Sequence, residues 1–372
     1  MTAEPLPAVA SSHRVGQVRI HRATAPLHRP FRTALRTVTH LDTLLVAVED
    51  ADGATGWGEA PEVMAVTGHH QQEVARMLLG PVAAALTPEL LRDPGAAADR
   101  VRAVAASVPP AANAALAALL DLDARRRGLA AHRLLGARTN RLTTTVTVAR
   151  DTPTSMAAEA AQRAAERFER LKLKLGGGDP RADLDRLRAV ADAAPTARLL
   201  IDANQGWDRA TSADHLEAIA ATSLPVDAIE QPLAATDHAG MARLREQLTG
   251  TGIELIADES VFSLADARRV IEARAADRIN VKLAKAGGPG PARAILRLAT
   301  DHGVATMVGC MLESELGVAA AAAVALAEEV TVCDLDAPLL LARSPVVGGP
   351  RLEGAQLTAS PAPGFGCTPS AG

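Results

Sequence analysis

The chain has 372 residues, 48% of them apolar and 22% charged, with a formal net charge of −4 and an isoelectric point near 6.2. That length exceeds one ordinary core and points to about two domains. The acidic balance, 2% aromatic content and lack of tyrosine argue against a nucleic acid as partner, and no stretch is long and apolar enough to span a membrane, the Ala-rich run at 317–327 included.

In chain order, residues 1–13 are rich in Pro, Ala and Ser and read as a disordered leader. They have neither the basic start nor the apolar core of a signal peptide. Cys310, Cys333 and Cys367 are an odd number without metal-ligand spacing, which fits a reduced compartment and no disulfide framework. The expected location is the cytoplasm, free of membrane partners. From Val15 to Ala60 the alternation in VGQVRIHRA, the run DTLLVAVED before the turn DADG, and ATGWGEAP predict three strands. Between the first two, PLHRPFRTALRTV reads as a polar loop carrying Phe31, Arg32 and Arg36. His69 to about Gly136 reads as helical, most clearly in AANAALAALLDLDARRRG. These segments make an α+β domain over 14–135. Residues 345–372, beyond the breaks at Pro338, Pro345, Gly348 and Pro350, are expected to return and complete it.

Residues 136–344 carry a repeating rhythm. Val146, Lys174, Asp202, Glu230 and Asp258 follow one another at steps of 28, and Lys282 comes 24 later. Each sits at or near the end of a short apolar run, and a segment of helical length follows. The series continues in ATMVGCMLES (305–314) and TVCDLDAP (331–338), giving eight strands. This is the strand–loop–helix rhythm of a parallel barrel, whose strand ends share one mouth.

The charged residues at that mouth have a direction. Lys172 and Lys174 are two apart and share one strand face, while Leu171, Leu173 and Leu175 take the other. Helices cover the outer face, so both amines point inward. Asp202, Glu230 and Asp258 offer only oxygen donors, which suits a hard divalent cation; without one they would repel each other. No His accompanies them, so Zn²⁺ is a poor fit. One such Asp alone would read as a helix N-cap; three at equal spacing do not. Asp334 and Asp336 repeat the two-residue step, either as inward carboxylates or as turn chemistry before Pro338. No Arg or Lys partner for them is evident in the strand sequences. Arg36 alone reads as a solvated loop charge, His69 and His70 as a surface or N-cap pair, and His302 as structural. The glycines at 176–178 and 287–290 match no nucleotide fingerprint.

A KxK pair, then Asp, Glu and Asp on successive strands, then Lys on the sixth, resembles the enolase superfamily, muconate-lactonizing-enzyme subgroup. Within it PFRTALRTV, GWGEAP, VTG, DANQGW, ADESVF, INVKLAKAGG and DLDAPLLL are similar to the dipeptide epimerases of the L-Ala-D/L-Glu type, over Val15 to Gly354. The resemblance implies a (β/α)7β modified TIM barrel under an N-terminal α+β capping domain. It implies Mg²⁺, with Mn²⁺ as substitute, on Asp202, Glu230 and Asp258. Lys174 and Lys282 become the acid/base pair on opposite faces of the substrate Cα, and Lys172 a stabiliser of the enolate oxygen. Asp334 and Asp336 are expected to take a dipeptide's α-ammonium and Arg36 the side-chain carboxylate of its second residue, with Asn204 in the same substrate-binding set. The implied reaction is a two-base 1,1-proton transfer at the Cα of the C-terminal residue of a dipeptide such as L-Ala-L/D-Glu, through an enediolate. The alternatives are an o-succinylbenzoate synthase, N-acylamino-acid racemase or cycloisomerase of the same subgroup, or a catalytically silent barrel. Expected partners are a small dipeptide and further copies of the chain in a homo-oligomer.

Overall fold

Alternating apolar residues in the first part of the chain fold as one antiparallel sheet. In the computed structural model, which describes residues 12–370, β1 (Ser12–Val15), β2 (Val18–Arg32), β3 (Thr37–Glu49) and β4 (Thr55–Pro61) pair in that order. Of the expected leader, residues 1–11 lie outside the described residues. Ser12 and His13 do not belong to a leader: they pair with His21 and Ile20 across a tight turn at Gly16 and Gln17. The loop expected between the next two strands is also much shorter than PLHRPFRTALRTV. Phe31 and Arg32 pair with Val38 and Thr37, so only Thr33–Arg36 turns. A register shift between Pro26 and Phe31 accommodates the prolines that made this stretch read as a loop.

The sheet packs on the helix Pro109–Arg126. The approach is close at β4, where a Cβ on Gly58 would lie 2.0 Å from the carbonyl oxygen of Ala114. Val18, Ile20, Leu44, Val46 and Val48 from the sheet and Leu78, Val101, Leu116 and Leu122 from the helical segment form the first core.

After β5 (Arg141–Thr143), strand and helix alternate. β6 (Val146–Val148), β7 (Arg170–Lys174), β8 (Arg198–Asp202), β9 (Val226–Glu230), β10 (Glu254–Ala257), β11 (Arg278–Lys282), β12 (Ala305–Gly309) and β13 (Val332–Asp334) form one parallel sheet in chain order. The helices Pro153–Ala165, Pro180–Ala193, Ser212–Ala220, His238–Gln247, Leu264–Glu272, Pro289–Asp301 and Glu315–Ala327 connect them, which gives the (β/α)7β order. The seam between first and last strands closes where Thr144 bridges Cys333 and the Thr145 N–H donates to the Cys333 carbonyl at 2.8 Å.

The two-residue period sorts side chains as the sequence implies. Leu171, Leu173, Leu199, Ile201, Ile229 and Val281 face outward into the helix-packed core. Leu200, Ala228, Ile256 and Met307 stack inside as one layer, each two residues before a strand-end position that faces the mouth. The tail adds β14 (Val346–Gly348), β15 (Arg351–Glu353), β16 (Gln356–Thr358) and β17 (Cys367–Pro369). β16 pairs with β5, while Arg125 on the helix of the first core donates to the Cys367 carbonyl at 2.7 Å. All three cysteines are free. No helix among the described residues is long and apolar enough to cross a membrane.

Candidate active site

At the C-terminal ends of the barrel strands lies a cavity open to solvent. Its floor and walls include Lys174, Asn204, Asp258, Glu259, Lys282, Asp334 and Asp336. The N-terminal sheet covers it: Phe31 comes from the end of β2, Thr33, Leu35 and Arg36 from the β2–β3 turn, and Val63 and Val66 from the segment after β4. Arg36 is thus a cavity residue and not a solvated loop charge. Its Nη1 donates to the Glu62 carbonyl at 3.5 Å, and burial pulls its pKa below the ordinary value, opposed by the charge of Glu62. Of the histidines set aside, His69 pairs with Glu73 at 3.1 Å and His302 bonds the Leu298 carbonyl at 2.9 Å; neither lines the cavity.

Beneath the cavity the strand-end charges form one buried network. Lys172, fully buried, donates to Glu230 Oε1 at 3.0 Å and Asp334 Oδ2 at 2.7 Å, and lies 3.1 Å from Asp202 Oδ2. Lys174 donates to Asp202 Oδ2 at 2.5 Å, and Lys282 to Asp258 Oδ2 at 2.8 Å. The expectation that Asp334 and Asp336 meet no lysine is therefore corrected for Asp334. Lys172 reaches it because seam closure brings β13 round beside β6 and β7, a neighbourhood no single strand records. Asp336 has a different environment: it accepts the Thr147 N–H at 2.5 Å, while Thr145 Oγ1 donates to Asp334 at 3.0 Å.

The charges respond to this packing. Burial would raise the Asp202 carboxyl, but the Lys172 and Lys174 ammoniums outweigh it and hold it at about 2. Burial would lower Lys282, yet Asp258 reverses that and raises it above the ordinary lysine value; Asp258 is held far down in turn by Lys282 and Lys285. Glu230 shares Lys172 with two other carboxylates, so burial prevails and lifts it to about 7. Asp336, desolvated and next to Asp334, rises to about 6.

Sequence reasoning missed several residues. Gln231 adopts a left-handed backbone (φ 36°) and its Oε1 accepts the Asp258 and Ser260 N–H groups at 2.9 and 3.1 Å. Glu259 was likewise unnamed; it accepts at 3.2 Å from the side chain of Asn204, a residue the sequence did single out, whose left-handed backbone donates to Asp202 at 3.0 Å. Lys285 and Asn280 lie below, each bonded to one strand-end carboxylate. Glu, Gln and Asn beside an identified charge were the only available signal, and such residues are common at loop starts.

Among the described residues no three His, Cys, Asp or Glu side chains converge on one cation position; lysines hold the three expected ligand carboxylates instead. The donor set nevertheless fits a hard divalent ion. Glu230 pairs in register with Asp202 on one side and Ile256 on the other, so Asp258, two residues on, shares their face. Asn204 Oδ1 and Glu259 Oε2 are buried nearby without a hydrogen-bond partner, and all donors are oxygen.

Residues 16–136 match the mandelate racemase/muconate lactonizing enzyme N-terminal domain, and residues 155–371 match the enolase C-terminal domain-like family. The chain belongs to the enolase superfamily. Within it, the L-Ala-D/L-Glu epimerase of Bacillus subtilis is 33% identical over 355 residues, 95% of this chain and 96% of its own. The structure of that epimerase in a substrate-liganded complex superposes with a TM-score of 0.91 at 32% identity, covering 96% and 100% of the two chains. A hydrophobic dipeptide epimerase of Enterococcus faecalis is also 33% identical, over 91% of this chain and 95% of its own. An N-succinyl Arg/Lys racemase of Bacillus cereus superposes with a TM-score of 0.88 at 25% identity, over 95% of each chain. The enolase-superfamily architecture, a cap sheet over a barrel mouth, is the one described above.

Proposed function

We propose that this protein is a dipeptide epimerase, inverting the Cα of the C-terminal residue of a dipeptide with a free amino terminus. One observation carries the reading. Lys174 and Lys282 come from β7 and β11, four strands apart in an eight-stranded barrel, and both line the one cavity. Ammonium groups on opposite walls address the two faces of a carbon held between them, the geometry a two-base proton transfer needs.

Asp202, Glu230 and Asp258 are the residues that would hold Mg²⁺, or Mn²⁺ in its place. That ion supplies positive charge against a substrate carboxylate as its negative charge grows. The chain's own residues do the rest. One lysine accepts the Cα proton in its neutral form; the other, protonated, returns a proton to the opposite face. Lys172, a fixed and fully buried ammonium, faces the same developing enediolate charge from below. Asp336 is the anchor for the substrate α-ammonium, since among the described residues its hydrogen bonds come from the neutral Thr147, while Asp334 already has Lys172. Arg36 has no carboxylate partner in the cavity wall and suits an acidic second residue.

The likeness to an N-succinyl racemase keeps a second reading in play, an N-acylated amino acid as substrate. Asp336 favours the dipeptide: an acyl group offers no charge to a carboxylate. The test is a dipeptide library in D₂O with Mg²⁺, read by mass and chirality. Ala-Glu should take up deuterium at one Cα and lose stereochemical purity, EDTA should stop both, and N-acetylation should lower kcat/KM about a hundredfold or more. Faster turnover of N-succinyl amino acids would replace the dipeptide reading with the racemase one.

A further inference from the structure

Inside the barrel, the layer below the mouth contains Leu200, Ala228, Ile256 and Met307. Asn280 faces the same interior from β11, two residues before Lys282, and is completely buried. An amide in an apolar layer is costly unless hydrogen-bonded. It has a single side-chain bond, from Nδ2 to Glu230 Oε1 at 2.9 Å, and its Oδ1 has no partner. The bond fixes the amide's orientation, since a flipped oxygen would face a carboxylate. The neighbouring strand keeps room for it: a Cβ on Gly309 would lie 2.8 Å from Asn280 Oδ1 and 3.1 Å from Lys282 Cε.

Lys285 does for Asp258 what Asn280 does for Glu230. It follows β11 in the turn Leu283–Ala286 and is completely buried, with no part in the cavity wall. Its ammonium donates to Asp258 Oδ1 and to the Asp258 backbone carbonyl, and sits 5.5 Å from the centre of the Phe262 ring. Lys282, three residues earlier, holds the other oxygen of the same carboxylate and faces the cavity. The two lysines therefore divide the carboxylate between them: Oδ2 faces the reaction, and Oδ1 is tied down from beneath.

We propose that Asn280 and Lys285 are positioning residues that hold Glu230 and Asp258 from below and so set the protein's affinity for its divalent cation. The proposal rests on the metal assignment of the preceding section. Neither residue touches substrate. Each restrains one carboxylate through an oxygen, removing rotational freedom that a cation would otherwise have to remove on binding. Loss of such an outer contact typically weakens metal binding about 10–100-fold.

Mn²⁺ binding to the apo chain, followed by electron paramagnetic resonance and by calorimetry, tests this without recourse to turnover. Asn280→Leu keeps the side-chain volume and removes the donor. Lys285→Gln keeps a donor and removes the charge, a gentler change than Lys285→Met in a buried site. Both variants are checked for native circular dichroism. The expected result is a roughly 10–100-fold rise in the Mn²⁺ dissociation constant for Asn280→Leu, a rise for Lys285→Gln, and an activity deficit that excess metal largely restores. Mn²⁺ binding as tight as native, or tighter, in folded Asn280→Leu and Lys285→Gln overturns the proposal. If the native chain itself fails to bind Mn²⁺, the metal assignment falls first. Should Lys285→Gln not fold, Asn280→Leu decides alone, because it introduces no unpaired charge of its own.

Discussion

Lys174 and Lys282 each grip a carboxylate that also serves as a strand-end anchor, Asp202 for one and Asp258 for the other. For Lys282, where burial is outweighed by the Asp258 charge, the ammonium is favoured, so it becomes a base only once that carboxylate is engaged elsewhere. The two-base reading makes a specific demand on single variants. Lys174→Ala and Lys282→Ala should each abolish epimerisation, with kcat falling by several orders of magnitude, about 10²–10⁴-fold for the proton transfer alone. Each should still exchange the α-proton of one epimer with D₂O, a different epimer for each variant. Nuclear magnetic resonance of L- and D-configured dipeptides reads this directly, and exchange of the same epimer by both variants would contradict the placement of the lysines on opposite faces. At this scale much of the site was legible. The two-residue step put Lys172 and Lys174 on one inward face because a strand allows nothing else. Lys172's bond to Asp334, 162 residues away, was not legible; it exists only because the barrel closes. Asn280 and Lys285 were hidden for another reason: an amide and a second lysine near a recognised one carry no periodic signature.

The elements around the cavity depend on contacts that cross from the sheet to the barrel. Glu59, at the end of β4, is buried and accepts the Ser314 Oγ–H at 2.5 Å, the Ser314 N–H at 3.0 Å and the Gly317 N–H at 2.9 Å. It thereby caps the helix Glu315–Ala327 from another part of the fold. Read as sequence, GWGEAP is a strand with a charged residue on it, and nothing local says that this charge serves a helix some 255 positions on. Glu313, next to Ser314, accepts the Met311 N–H at 3.1 Å and shapes the loop whose Cys310, Met311 and Leu312 line the cavity. Burial, and then the nearby Glu59, push the Glu313 carboxyl to about 8 from an ordinary 4.5. The folded chain thus binds this proton more tightly than the unfolded chain does. Its contribution is fully present below the unfolded pKa and is lost as pH rises through about 8. Glu313→Gln, neutral at every pH and still able to accept the Met311 N–H, should remove that loss. Urea unfolding at pH 5 and pH 8 should show a smaller decline for the variant than for the native chain, by on the order of 3 kcal/mol. Equal declines would mean that Glu313 is already ionised in the folded protein at neutral pH.

For the whole molecule, the barrel was legible because its rhythm is enforced: a strand, a loop and a covering helix occupy a nearly constant length, so charges at strand ends recur at a constant step. The course of the tail was legible only as a return, because short strands broken by Pro and Gly have no period to read. Its destination is the single carboxylate of Asp121, completely buried on the helix Pro109–Arg126. Oδ2 accepts the Trp57 N–H from β4 at 2.9 Å and Arg125 Nε–H at 2.6 Å, and Oδ1 accepts the Phe365 N–H from the tail at 2.5 Å. Sheet, helix and C-terminal tail therefore meet at one side chain. Asp121→Ala leaves a half-buried guanidinium and two backbone donors without their acceptor, a loss of about 3–5 kcal/mol for a broken buried pair. Asp121→Asn keeps one oxygen acceptor and should cost less, though it forfeits the charge that faces Arg125. The loss should also be local. Hydrogen exchange in Asp121→Ala should accelerate first at Phe365, Cys367 and Trp57, while the amides of β7 to β11 keep their protection. A uniform acceleration across the barrel would show that Asp121 supports the whole fold at once, whereas graded exchange makes it the point at which tail and sheet are fastened to a barrel that folds without them.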